Sequence, residues 1–141
     1  MKFFKFAFLS LPIVLLGACV DQTTVDEKMA KGCVAGVNAL LNDTQVIDVS
    51  GKTAVTEDFQ GEGLHRRITM KVIEKDGWLE LENEYSCVFL EQWGPFRADH
   101  KAMIMQVKIN DDVYGKQDGK IVGDWDDFVA LSRVVDAAMG Q

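Results

Sequence analysis

The chain has few of the residues and runs that mark several classes of protein. Three cysteines in 141 residues are too few for a disulfide-dense miniprotein. The 12 glycines recur at no fixed interval, which excludes a collagen or solenoid repeat. An apolar run over residues 6–16, broken by Ser10 and Pro12, is about half of the roughly 20 residues that a membrane-spanning helix needs. The length is enough for one domain and too small for an enzyme with a separate cofactor domain.

Sequence motifs for catalysis and for nucleotide or nucleic-acid binding are also missing. The chain has no GxSxG nucleophile motif, no glycine-rich phosphate loop and no basic patch with interleaved aromatics. Its net charge of -7 opposes binding to nucleic acid. His65 and His100 each stand alone, and we expect exposed strand histidines rather than catalytic bases or metal ligands. We therefore predict no catalytic residue, no metal site, no cofactor and no nucleic-acid partner.

Two groups of acidic residues have structural interpretations. Glu80, Glu82 and Glu84 alternate along a predicted strand, which favours a solvated charge ladder over the paired carboxylates of a glycoside hydrolase. Six aspartates between residues 111 and 127 lack EF-hand spacing and a closing glutamate, so we expect them in turns and helix caps, and cation binding there stays an open alternative. These aspartates are Asp111, Asp112, Asp118, Asp124, Asp126 and Asp127.

The first 19 residues have the features of an export signal. Lys2 and Lys5 form a short basic start, the apolar run follows, and the segment ends in Leu-Gly-Ala-Cys at Cys19. This ending resembles the lipobox of bacterial lipoproteins, and the resemblance covers residues 1–19 alone. It implies that residues 1–18 are a signal peptide that is removed. It also implies that the Cys19 sulfur receives a diacylglyceryl group and that its amine is acylated, for example by palmitate. The alternative is an ordinary secretory signal that happens to contain a cysteine.

A lipid anchor would fix where the protein lies. Each buried methylene contributes about 0.8 kcal/mol, so two or three acyl chains on one residue hold almost permanently. The mature chain keeps 13 basic and all 22 acidic residues, and its net charge of -9 is repelled by anionic headgroups. Val20, with Asp21 one residue later, resembles outer-membrane sorting more than inner-membrane retention. We expect the domain to hang from the membrane in the periplasm, on a tether formed by residues 19–24.

The cysteine count supports the same interpretation. If lipid occupies Cys19, then Cys33 and Cys87 remain, and an oxidising periplasm favours a disulfide between them. A bond across 54 positions would stabilise the fold by roughly 3–4 kcal/mol. The alternative is two reactive or metal-binding thiols, although metal sites usually place cysteines in close CxxC pairs.

Helical periodicity predicts a first helix over residues 25–41. Thr24 has the position of an N-cap in a capping box. An apolar stripe includes Cys33 and directs its sulfur at the core. Gly32 and Gly36 lie one turn apart and either permit close approach to a sheet or weaken the helix.

Alternating patterns predict the strands that follow. The predicted ranges are 46–55 (one strand, or a loose hairpin around Ser50-Gly51), 64–74, 78–91 and 98–110, with short strands around Asp118-Gly119. The apolar side of the 98–110 strand is expected to carry Met103, Met105, Val107 and Ile109. A last helix is predicted over residues 125–139, between an Asp124 cap and a Gly140 stop.

The dipeptide Asp76-Gly77 gives the strongest hairpin signal and favours a type I′ turn. With these two residues as the loop, Cys87 lies on the apolar face of its strand, so that it and Cys33 meet at one helix–sheet interface. Arg66 and Asn83 fall on the same face without an explanation. The predicted cross-strand pairs are Val72–Leu81, Ile68–Tyr85, Leu64–Phe89 and Lys71–Glu82.

Together these elements predict one α+β domain over residues 25–141. It has an N-terminal helix, an antiparallel meander of four or more strands, and a C-terminal helix packed on one face of the sheet. Trp93 and Phe96 lie in a predicted turn and are candidate partner-binding residues, because aromatics anchor interfaces. The alternative is that they fold back over the sheet end.

The leading functional hypothesis is a non-enzymatic, lipid-anchored accessory or assembly protein of the bacterial cell envelope, which presents its disulfide-linked domain to a protein partner. The first alternative is a periplasm-facing binder or inhibitor of a small ligand or an enzyme. A hydrolase has less support.

Overall fold

Two helices and a six-stranded antiparallel sheet make up the part of the chain that the computed structural model describes, residues 19–61 and 63–141. The predicted signal peptide, residues 1–18, lies outside the described residues. The elements in chain order are α1 (Gln22–Leu40), β1 (Gln45–Glu57), β2 (Leu64–Asp76), β3 (Leu79–Trp93), a 3-10 turn (Pro95–Arg97), β4 (His100–Ile109), β5 (Asp112–Gln117), β6 (Lys120–Val122) and α2 (Trp125–Met139).

The sheet is a simple meander in which each strand pairs with the next, in the order β1 to β6. Both helices contribute to a single core over one face of the sheet. This confirms the predicted α+β architecture. The largest fully buried side chains include Val25, Met29 and Val37 of α1, Ile68, Met70 and Val72 of β2, Val88 and Phe89 of β3, Val107 of β4 and Val135 of α2.

The helix ends follow from capping side chains. The α2 helix has the predicted bounds: the Asp124 carboxylate accepts from the Asp126 backbone N–H, and Gly140 takes the left-handed conformation at φ 75°. The α1 helix begins three residues before the prediction, because Asp21 and not Thr24 is the N-cap. The Asp21 side chain accepts from the Thr24 backbone N–H at 3.1 Å. The first helix therefore begins at Gln22, and residues 22–24 are not part of a tether.

The β2–β3 hairpin forms as predicted, but its register is shifted by two residues. The two-residue loop is Gly77-Trp78 and not Asp76-Gly77, so that Asp76 pairs with Leu79. Gly77 has φ 61° while Trp78 is not among the residues with positive φ, which describes a type II′ turn. Because side chains alternate with a period of two, this shift keeps every residue on its predicted face. The observed pairs include Ile68–Cys87, Val72–Asn83 and Lys71–Glu84.

Two β-bulges account for further departures from the predicted pattern. In β4 the pairing passes from Val88–Gln106 to Phe89–Ile104, which leaves Met105 as the extra residue. The alternation therefore changes phase there: Ala102 and Ile104 are buried, whereas Met103, predicted to face the core, is 46% exposed. In β1 a bulge between Val49 and Gly51 replaces the hairpin considered around Ser50-Gly51, and the strand continues to Glu57.

The two glycines of α1 serve helix–helix contact. A Cβ at Gly32 would lie 2.7 Å from Met139 Cγ, and one at Gly36 would lie 3.0 Å from Val135 Cγ2. Both neighbours belong to α2, so the close approach suggested for these glycines is mainly to the second helix rather than to the sheet. At Gly36 the nearest atom of the sheet is Val107 Cγ2, at 3.8 Å.

We expect Gly36→Val to lower the free energy of unfolding by about 2 kcal/mol, because the added carbons would push α2 away from α1. Urea denaturation followed by circular dichroism measures the change. The control is Ala39→Val, three residues along α1 and exposed, which should cost only the β-branched helix penalty of about 0.5 kcal/mol. Equal losses in the two variants would contradict the packing explanation.

Candidate functional site

The three cysteines divide into a bonded pair and one exposed residue. Cys33 and Cys87 form a disulfide with a Cα–Cα distance of 5.7 Å, as predicted, and both residues are fully buried between α1 and β3. Cys19 is exposed and not bonded to another cysteine. Among residues 19–61 and 63–141, Cys19 is therefore the accessible thiol, and it is the residue to which the lipobox resemblance assigns the lipid.

Cys19 and Val20 lie against the turn over residues 94–99, which connects β3 to β4. The Val20 backbone N–H donates to the Arg97 carbonyl oxygen at 3.0 Å. The Cys19 thiol donates to the Phe96 carbonyl oxygen, with an Sγ–O distance of 3.8 Å. Residues 19 and 20 are thus held at one end of the sheet, beside the predicted aromatic turn.

The 94–99 turn has an unusual backbone that is closed by its own hydrogen bonds. Phe96 and Arg97 both adopt left-handed conformations, with φ values of 55° and 57°. The Gly94 N–H donates to the Asp99 carbonyl at 3.1 Å, and the Asp99 carboxylate fills the space that a Gly94 side chain would occupy. This geometry directs the Phe96 side chain away from the domain, and Phe96 is 96% exposed.

The structure separates the two aromatics that the sequence grouped as partner-binding candidates. Trp93 is half-buried and packs against the core cluster. Its ring lies 4.4 Å from the His100 ring, and the Arg97 guanidinium lies 3.9 Å from its centroid on a face of the indole. Trp93 therefore packs between the core and the turn, which agrees with the alternative that the aromatics fold back over the sheet end. Phe96 does not fold back and stays exposed.

A network of charged and polar side chains underlies this end of the domain. Arg97 donates to the Gln22 side-chain oxygen at 3.0 Å, and Gln22 donates to Asp26 at 3.1 Å. Asp26 in turn accepts two hydrogen bonds from Arg66, at 2.7 and 3.0 Å. This pair explains why Arg66 occupies the apolar face of β2: it reaches the first helix.

The pKa of Asp26 reflects this pairing. Burial by itself would raise the pKa, but the hydrogen bonds from Arg66 and Gln22 and the positive charge of Arg66 outweigh it, so that the pKa lies below its ordinary value. The pair is therefore charged at neutral pH and connects α1 to β2. Asn83 has no comparable side-chain partner among residues 19–61 and 63–141, and its place on this face has no structural explanation.

The expectation of exposed histidines was wrong for both residues. The His100 side chain is nearly buried, and its Nε2 lies 2.9 Å from the carboxylate of Glu91, which is also buried. His65 is buried against the Phe59 ring, at a centroid distance of 5.5 Å. Neither imidazole hydrogen-bonds to a hydroxyl or thiol within the described part of the chain, so the geometry does not form a nucleophile–base pair.

Most of the acidic residues lie where the sequence predicted, but Asp112, predicted in a turn, begins β5 and pairs with Ile109. Glu80, Glu82 and Glu84 are exposed on β3. Asp111 and Asp118 lie in turns and Asp124 caps α2. Among residues 19–61 and 63–141, no three His, Cys, Asp or Glu side chains are grouped to hold a metal ion.

Two further surface features lie away from Cys19. A mainly apolar groove of about 370 Å³ runs between the end of α1 and the start of α2, over β5. The groove is lined by side chains that include Leu40, Tyr114, Val122, Phe128 and Val134.

The second feature is the β2–β3 hairpin loop, at the opposite end of β3 from the 94–99 turn. Trp78 is 87% exposed there, and Leu79 and Leu81 beside it are about half exposed.

Comparison of the chain with protein families, with curated proteins and with solved structures finds no match. Within the described ranges, neither α1 nor α2 is long and apolar enough to cross a membrane.

Proposed function

We propose that the chain is a non-enzymatic, lipid-anchored accessory protein of the bacterial cell envelope, which holds a disulfide-linked α+β domain close to a membrane for a protein partner. The observation that carries the proposal is the separation of the cysteines. Cys19, the residue that ends the lipobox-like segment, is exposed and outside the disulfide, while the other two are bonded in the core. An oxidising compartment, required for that bond to persist, is consistent with export.

The geometry next to Cys19 supports attachment close to the bilayer. Between Cys19 and the start of α1 lie residues 20 and 21 alone, and Val20 is already hydrogen-bonded to Arg97. Three residues span at most about 10 Å, so a domain anchored through Cys19 stays beside the lipid surface. We place it in the periplasm and, by the Val20-Asp21 sequence, on the outer membrane.

We expect Cys19→Ser to move the protein from the membrane pellet to the soluble fraction, because serine lacks the sulfur to which the lipid is attached. Fractionation of cells that produce the full-length chain measures this, and intact mass shows whether the wild-type protein has lost 18 residues and gained lipid. Thr23→Ser, an exposed change in the same segment, is the matched control and should remain in the pellet. If Cys19→Ser also remained in the pellet, the anchoring proposal would fail.

The partner is tested separately. Affinity capture of the wild-type protein from detergent-solubilised membranes is expected to recover a stoichiometric envelope protein. Recovery of the lipidated chain without another protein would support the lipid anchor and contradict the accessory role.

A small-ligand binder is the second candidate, and the apolar groove between the helices is the observation that favours it. Its size is within the range of ligand pockets. Native mass spectrometry of the protein purified from cells distinguishes this candidate, because a bound small molecule would add a constant mass that Phe128→Asp, at the groove, removes.

A further inference from the structure

We propose that the Phe96 side chain inserts into the membrane interface beside the lipid on Cys19, so that the 94–99 turn is a second, apolar contact between the domain and the bilayer. This inference rests on the proposed lipidation of Cys19. It assigns a lipid surface, and not a protein, as the partner of Phe96.

The first step is the position of Phe96 relative to the anchor. The Cys19 sulfur lies 3.8 Å from the Phe96 carbonyl oxygen. A thioether sulfur no longer donates a hydrogen bond, but the bond from the Val20 N–H to the Arg97 carbonyl, at 3.0 Å, does not involve the thiol and persists after lipidation. The acyl chains therefore leave the protein next to Phe96.

The second step is that the turn is held in place from the protein side. Arg97 stacks on Trp93 and donates to Gln22 in α1, while Gly94 is hydrogen-bonded to Asp99. These contacts fix the backbone on both sides of Phe96. The Cα–Cβ bond of Phe96 consequently has a fixed direction, away from the domain, although the ring is almost wholly exposed.

The third step is energetic. When the acyl chains on Cys19 enter the bilayer, the attachment sulfur lies at the headgroup level, and a residue in contact with it lies at the same depth. Burying a Phe side chain in an apolar medium is favourable, and an aromatic group is well suited to the boundary between headgroups and acyl chains. Because the lipid has already brought the turn to the surface, insertion of Phe96 needs no further loss of translational freedom.

The chain offers a matched control. Trp78 is also an exposed aromatic in a tight turn, but it lies at the other end of β3. Fifteen strand residues separate the two turns, which is roughly 50 Å at about 3.3 Å per residue. If the lipid on Cys19 sets the orientation of the domain relative to the bilayer, Phe96 contacts the bilayer and Trp78 does not.

The test uses the lipidated protein purified from membranes and reconstituted into phosphatidylcholine–phosphatidylethanolamine vesicles. In that protein lipid blocks Cys19 and the other two cysteines are bonded, so Phe96→Cys or Trp78→Cys provides a single thiol for an environment-sensitive fluorophore. We expect a blue shift at position 96 on vesicle binding and loss of emission with spin-labelled lipids, and neither change at position 78. Hydroxyl-radical footprinting of the wild-type protein is the second measurement, with Phe96 protected by vesicles and Trp78 still oxidised.

The outcomes separate this inference from the anchoring proposal. Two fluorophores per Phe96→Cys molecule, or failure to float with vesicles, would show that Cys19 carries no lipid. Flotation with equal emission at positions 96 and 78, and with Phe96 oxidised as fast as without vesicles, would overturn the membrane contact alone. Protection of Phe96 in native membranes but not in pure lipid vesicles would also overturn it and assign the residue to a protein partner.

Discussion

Replacing Cys33 and Cys87 together with alanine is expected to lower the free energy of unfolding by about 3–4 kcal/mol, the largest effect that we predict for any change in the domain. The disulfide closes a loop of sequence separation 54, and its loss returns that conformational freedom to the unfolded chain. Both sulfurs are fully buried in the core, so smaller side chains also leave unfilled space there. Urea denaturation under oxidising conditions gives the difference.

Thr23→Ser is the control for that measurement, because it changes an exposed side chain outside the core and leaves Cys19 as it is. It should leave the midpoint unchanged. Reduction of the wild-type protein should reproduce the part of the loss that comes from the bond, without the part that comes from the unfilled space. A decrease below about 1 kcal/mol in both experiments would mean that the α1–β3 interface is stable without the bond.

The second large effect is expected from Arg66→Met, which should lower the free energy of unfolding by about 2–3 kcal/mol. Arg66 and Asp26 are only 14% and 15% exposed, so removal of the guanidinium leaves a poorly hydrated carboxylate without its main partner. The control is Arg67→Met, next in sequence and on the opposite face of β2. Arg67 also forms a two-hydrogen-bond pair, with Glu57, but the two side chains are 27% and 24% exposed. Loss of that pair should cost about 1 kcal/mol or less.

The pH dependence of unfolding provides an independent check on the same pair. Folding lowers the pKa of Asp26 below its ordinary value of 3.8, so the pair stabilises the domain above that pH. The contribution is lost as the pH falls through the lowered pKa in the folded state. The wild-type protein should therefore lose more stability between pH 5 and the acid range than Arg66→Met does, whereas parallel curves would contradict the assignment.

The sequence predicted the structure correctly where the signal is local, as in a helix cap, or depends on whether a count or a spacing is odd or even. The bounds of α2 follow from Asp124 and Gly140, which cap it in the structure as predicted. The disulfide follows from an odd cysteine count and from two periodicities that place Cys33 and Cys87 at one interface. Neither prediction changes if the ends of a helix or strand are wrong by one or two residues.

The details that failed depend on backbone geometry that residue types do not determine. Asp76-Gly77 and Gly77-Trp78 are both acceptable two-residue loops, and the position of Gly77 within the loop decides between them. The bulge at Met105 reversed the faces of the first half of β4, and nothing in the alternation of apolar residues marks it.

The Asp26–Arg66 pair could have been found from the sequence. Asp26 lies seven residues before Cys33 and thus on the same face of α1, whereas Arg66 lies on the core face of β2. Opposite charges on two faces that pack together predict an ion pair. The contact between Val20 and Arg97 could not be found in this way, because it joins two irregular segments through backbone groups.

The position of the disulfide also determines how the domain would respond to tension. If the chain were pulled between the proposed lipid at Cys19 and its C-terminal end, the force would pass along the first half of α1 to Cys33 and cross the bond to Cys87 in the middle of the sheet. The segment between them, which contains β1 and β2, would carry no load and could not extend. At about 3.5 Å per residue this withholds roughly 185 Å of contour length, so mechanical strain on a protein anchored in this way would act first on residues 19–33 and on the part of the chain after Cys87.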